Sequence, residues 1–168
     1  MNNENRENLE YFRETVKFTG RHSRYIDDLW TQNVIKESYV KTLYELYGLA
    51  AIVGLRIKKP SPIDNTDGVR NLQAEQLTQY RPILKTIMIT VLLLDETSGL
   101  SEEERINRAF RGPSNVDEMK ADMRLFDSYV RAGIEFLHEE LVERPLSFDD
   151  NYTDQRVGNI VALLEKKF

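Results

Sequence analysis

The sequence predicts one all-α domain spanning residues 1–168, a helical bundle of about five to seven helices. Three observations predict it. Apolar residues recur at helical spacing through most of the chain, above all in the long run from Val116 to Glu143. Helix starts and stops punctuate that pattern, as in the S-x-x-E capping box of Ser101 and Glu104 and the stop at Gly112-Pro113. Two apolar helical segments, GLAAIVGL (Gly48 to Leu55) and FDSYVRAGIEFL (Phe126 to Leu137), also carry internal glycines. A glycine costs roughly 1 kcal/mol against alanine inside a helix. Close approach of two helix backbones is the simplest compensation.

The elements follow in order. Residues 4–17 have Leu9, Phe12 and Val16 at helical spacing and predict a first amphipathic helix. Gly20 breaks the pattern within Phe18–Arg24. A short helix over Tyr25–Gln32 completes an N-terminal pair spanning 4–32. The core helices occupy 35–143. The first runs from about Ile35 to Lys58 and is apolar almost all round from Leu46 to Leu55, which predicts central burial. KPSPIDNTDG, Lys59 to Gly68, reads as a loop. The stretch VRNLQAEQLTQY is compatible with extended chain or helix. Pro82 suits the first turn of a helix to about Glu96. Its segment Ile83–Leu94 would also suit a buried strand, and length and the proline favour helix. A short helix follows from Ser101 to about Phe110, and Ser114 can cap the next, Val116–Glu143. Thr153 can cap a C-terminal helix within 153–167, with Val157, Ile160, Val161 and Leu164 as its apolar face. No hairpin or internal repeat is evident.

The composition narrows the function. There is no cysteine, which excludes disulfides, thiolate metal sites and cysteine nucleophiles. The polar N-terminus lacks the apolar core of a signal peptide. The longest apolar run is too short to span a bilayer. The expectation is a soluble cytoplasmic protein with no membrane segment. A net charge of −5 argues against a dedicated, sequence-independent nucleic-acid binder while leaving room for a local basic patch.

Catalytic and metal motifs are sparse. Glu135 and His138, with Glu139 adjacent, form an E-x-x-H pair. A ferritin-like diiron site needs a second such pair and two more glutamates. The only other histidine, His22, has no glutamate three residues before it. A solvated helix face accounts for the motif, and no metal or cofactor is expected. DNTDG fails as a calcium loop, because aligning Gly68 puts Ile63 and Ala74 at ligand positions. Glycine-rich phosphate loops and nucleophile elbows are absent, and no catalytic residue is assigned. Three basic groups remain: Arg21, His22 and Arg24; Arg56, Lys58, Lys59 and Arg70; and Arg105, Arg108 and Arg111. The second group, around the proline-rich loop, is the candidate for anion or nucleic-acid contact. The aromatic and small residues Tyr44, Tyr47, Gly54, Tyr129, Ala132 and Gly133 are the candidate interaction residues, because tyrosine on a half-apolar face suits core and interface alike.

The strings YELYGLAAIVGLRIKK, Ala109-Phe110 and FDSYVRAGIEFLHEEL, within residues 38–141, resemble small helical proteins encoded beside DNA-phosphorothioation (Dnd) defence systems. Ala50, Ala51 and Gly54 match one segment; Phe126, Tyr129, Gly133, Ile134 and Leu137 match the other. Ala132 stands where that pattern has the first glycine of a pair. The resemblance implies an accessory, non-enzymatic role in a bacterial anti-phage system, exercised through a protein partner or a homo-oligomer. It implies no catalytic residue. Two alternatives stay open: a DNA-associated protein using the basic loop, and a metal-dependent enzyme centred on Glu135, His138 and Glu139.

Overall fold

The computed structural model describes residues 9–31, 38–144 and 155–167. Within them the order is β1 (Val16–Thr19), α1 (Arg21–Leu29), α2 (Leu43–Arg56), β2 (Val69–Leu72), α3 (Ala74–Thr78), α4 (Arg81–Leu94), α5 (Glu102–Arg111), α6 (Val116–His138), a single π turn (Glu139–Glu143) and α7 (Gln155–Glu165). The architecture is helical, as expected, and its centre is the contact of α2 with α6.

That contact rests on two glycines. A methyl group on Gly54 would lie 1.9 Å from the Tyr129 carbonyl oxygen, and one on Gly133 would lie 1.9 Å from that of Ala50. The two backbones therefore touch, and each helix contributes the glycine that admits the other. Around the seam, Phe12, Tyr47 and Phe126 pack edge-on or tilted with ring centroids 5.1–6.2 Å apart. Phe12 reaches this place with φ of 63°, a conformation uncommon outside glycine. Its ring is almost wholly buried, which offsets that strain.

The helix expected over 4–17 is corrected across its described part, and residues 4–8 lie outside the described residues. Residues 9–15 are irregular, and β1 pairs antiparallel with β2, Val16 opposite Leu72 and Thr19 opposite Val69. Val16 and Phe18 face the core while Lys17 faces out, a period of two that the spacing of Leu9, Phe12 and Val16 masks. The ambiguous stretch after Gly68 divides between β2 and the one-turn helix α3.

Several boundaries move for local reasons. α1 starts at Arg21 rather than Tyr25, so Arg21, His22 and Arg24 lie on a helix and not in a loop. Its first turn is capped from a distance: the Asp64 carboxylate accepts from the Arg21 amide at 2.8 Å. Gly20 has φ of 60°, and a side chain there would collide with that carboxylate. α2 starts at Leu43, where Thr42 and Glu45 form a capping box, rather than at Ile35. Residues 35–37 lie outside the described residues. Ile83–Leu94 is helical, with Pro82 in the first turn. The Ser101–Glu104 box opens α5 as predicted. Asn115, not Ser114, caps α6, accepting from the Glu118 amide at 2.9 Å.

The last helix carries a larger correction. Val157, Ile160, Val161 and Leu164, the predicted apolar face, are 50%, 37%, 47% and 80% exposed. The residue α7 buries is Asn159, which donates from Nδ2 to the Leu141 carbonyl at 2.8 Å. The same carbonyl accepts from the Tyr39 hydroxyl at 2.6 Å, so the π turn is bonded both to α7 and to the segment before α2. The predicted cap Thr153 lies outside the described residues.

Candidate functional site

The residues expected to mediate interaction are brought together, but inside the molecule. Tyr47, Gly54, Tyr129, Ala132 and Gly133 are all buried, most of them at the α2–α6 contact. They form no outward face, because the glycines draw the helices too close to leave one. Their hydroxyls find internal acceptors: Tyr47 donates to Asp127 at 2.7 Å and Tyr129 to Asp95 at 2.6 Å. Tyr44 alone is partly exposed, and it stacks on Tyr80.

The four basic residues are dispersed. Arg56 borders an apolar groove. Lys58 pairs with Glu96 at 3.3 Å. Lys59 lines a cavity with Arg21, Ser61 and Glu135. Arg70 pairs with Asp27 on α1 and lies over the Trp30 ring. No single phosphate-binding surface results. The α5 arginines are likewise engaged, Arg105 with the Leu100 carbonyl, Arg108 with Asp122 and Arg111 with Glu118.

The E-x-x-H pair diverges. Oε1 of Glu135 accepts from Ser61 Oγ at 2.6 Å and sits 2.8 Å from both His22 Nε2 and an Arg21 guanidinium nitrogen. Burial pushes this carboxyl up, but the bonds from Ser61 and His22 and the Arg21 charge outweigh it and hold it below the usual range. Burial lowers the pKa of His22, favouring neutral imidazole. Serine, histidine and glutamate thus meet in the wrong order for nucleophilic catalysis: the carboxylate, not the imidazole, receives the serine proton donor. His138 instead bonds Asp28 at 2.9 Å and stacks on Tyr25, tying α6 back to α1. Among the described residues no three histidine or acidic side chains are grouped to hold a metal ion.

What remains is a groove that the sequence did not single out. Leu49, Ile52 and Val53 of α2, Val40 before it, Leu137 and Leu141, and Ile160, Leu163 and Leu164 of α7 line a cleft of about 480 Å³. Leu49 and Ile52 are 42% and 48% exposed. The signal was present, since α2 is apolar on both sides and one helix contact cannot cover both. No helix among the described residues is long and apolar enough to cross a membrane.

Comparison with known protein families, curated proteins and solved structures found no match to the chain.

Proposed function

We propose that the chain is a non-enzymatic accessory module working by protein–protein contact, and that a second copy of the chain fills its apolar groove. One observation carries this reading: an exposed apolar helix stripe runs into an apolar groove on the same molecule. Val157, Ile160, Val161 and Leu164 stand at i, i+3, i+4 and i+7, the spacing of a helix that docks in a groove. Ile160 and Leu164 also wall the cleft opposite Leu49 and Ile52, so stripe and groove form one continuous apolar face. A twofold axis would set this face against the same face of a second copy, as an isologous interface requires. Together the six side chains expose on the order of 500 Å² of largely apolar surface, comparable to the apolar share of one side of a standard interface. The resemblance to Dnd-associated helical proteins supplies the setting, a cytoplasmic accessory component of a bacterial defence system.

Light scattering during gel filtration tests the reading. The expected mass is twice the chain's 19.7 kDa. Leu164→Asp should return the single-chain mass without loss of helicity. A wild-type protein that stays at one chain mass at 100-fold dilution and at high concentration alike would remove the second copy as occupant.

A further inference from the structure

A different face of α6, away from the groove, carries a charged stripe. Lys120, Arg124, Asp127 and Arg131 recur at i, i+4, i+7 and i+11, which puts them on one side of the helix. Lys17 of β1, which alternates outward from Val16 and Phe18, faces the same region. Lys17, Arg124, Asp127 and Arg131, with Thr19, Ile63 and Asn65, line a cavity of about 390 Å³. That is a ligand-sized volume. Three cations meet one carboxylate there. Among the described residues neither Lys17 nor Arg124 has an ion-pair partner, in contrast to the arginines of α5.

The cavity is built rather than incidental. Its back wall is the loop bearing Ile63 and Asn65, and that loop is fastened at both ends. The Ser61 amide donates to the Ser128 carbonyl at 2.9 Å, and Arg131 Nε donates to the Ser61 carbonyl at 2.9 Å. Asp64 holds the start of α1, and its own carbonyl accepts from Thr19 Oγ1. The floor is Asp127, whose Oδ1 accepts from Tyr47. Burial raises the Asp127 carboxyl to about 6, against the Tyr47 bond and the Arg131 charge.

We infer that this cavity is a binding site for a small phosphate-class anion, gripped by Lys17, Arg124 and Arg131. The seven-residue interval between the two arginines corresponds to about 10 Å of helix. Side chains of that length can converge on adjacent phosphates, so a diphosphate suits the span better than a single phosphate. Guanidinium supplies the paired donors that phosphate oxygens accept. The net negative charge of the whole chain disfavours a long polyanion, and the concave wall limits the ligand's size.

The test is calorimetric titration of the full chain with inorganic pyrophosphate at low ionic strength. The expected result is saturable binding at one site. Lys17→Ala and Arg124→Ala, both at exposed positions, should each weaken it about tenfold with unchanged melting temperature. Asp127→Asn should tighten it, and Lys58→Ala, on another element, should leave it unchanged. Absence of saturation would overturn the proposal, as would equal weakening by Lys58→Ala. Displacement of pyrophosphate by a single-stranded oligonucleotide at lower concentration would also overturn it, in favour of a nucleic-acid track.

Discussion

The two sides of α2 are both apolar, yet they meet opposite surroundings. Toward α6, Gly54 and the backbone at Ala50 are in contact with Tyr129 and Gly133 so closely that no methyl group fits. Toward α7, Leu49 and Ile52 stand nearly half exposed over an open groove. Hydropathy alone does not distinguish these sides. Side-chain size does: the sealed side is small residues that let backbones meet, and the open side is branched residues that need something to be packed against.

The largest effect should come from closing the sealed side further. Gly54→Ala and Gly133→Ala should each destabilise the fold by about 3 kcal/mol, read by urea denaturation. A cost below 1 kcal/mol would mean that the helices separate easily, and the contrast between the two sides would disappear. The open side should respond in the reverse way. Ile52→Ser should leave the melting temperature of the monomeric Leu164→Asp background within about 2 °C while abolishing self-association in the wild-type background.

A smaller effect tests the buried carboxyl beside the seam. Asp127 has its pKa raised in the folded state, from 3.8 to about 6. Its ionisation is therefore harder in the folded than in the unfolded chain. The stability that protonation favours is present below pH 4 and is lost as pH rises through 6. Asp127→Asn, which keeps an acceptor for Tyr47, should stabilise the protein by about 1–2 kcal/mol at pH 7.5 and by little at pH 4. A constant difference across that range would show that the charge is not the cause. The smallest effect belongs to Asn159→Ala, which removes one of the two donors to the Leu141 carbonyl and leaves the Tyr39 hydroxyl as the other. It should cost about 1 kcal/mol and loosen α7, seen as faster amide exchange in Gln155–Glu165 alone.

The sealed side was legible in the sequence because a glycine in an apolar helix is an anomaly with few explanations. The Ser101–Glu104 capping box and Pro82 were legible for the same local reason, whereas the Thr42–Glu45 box lay unread inside a helix expected to start near Ile35. Features that depend on distant partners were not. β1 is four residues long, too short for its alternation to compete with the helical spacing around it, and its partner lies beyond α1 and α2. The stripe on α7 was visible as apolar, but periodicity states that a face is greasy and not which neighbour covers it. Tyr47 and Tyr129 could be core or interface until their acceptors, Asp127 and Asp95, were located. The cationic cavity was hidden in part by composition, since Lys17 reaches Arg124 only after a sheet and a helix have folded between them.

The meeting of Gly54 with Tyr129 and Gly133 joins two positions far apart along the chain. Everything between them, from the proline-rich loop through α5, is spanned by a noncovalent weld. Peptide continuity in that interval is thus not what holds the halves together. The turn at Ser98-Gly99 lies in it, exposed, with Gly99 at φ of 70°. A single proteolytic cut there should yield a nicked species that migrates as one particle in native gels and parts into two fragments only in denaturant. Two separately expressed pieces broken at that turn should likewise reassemble on mixing.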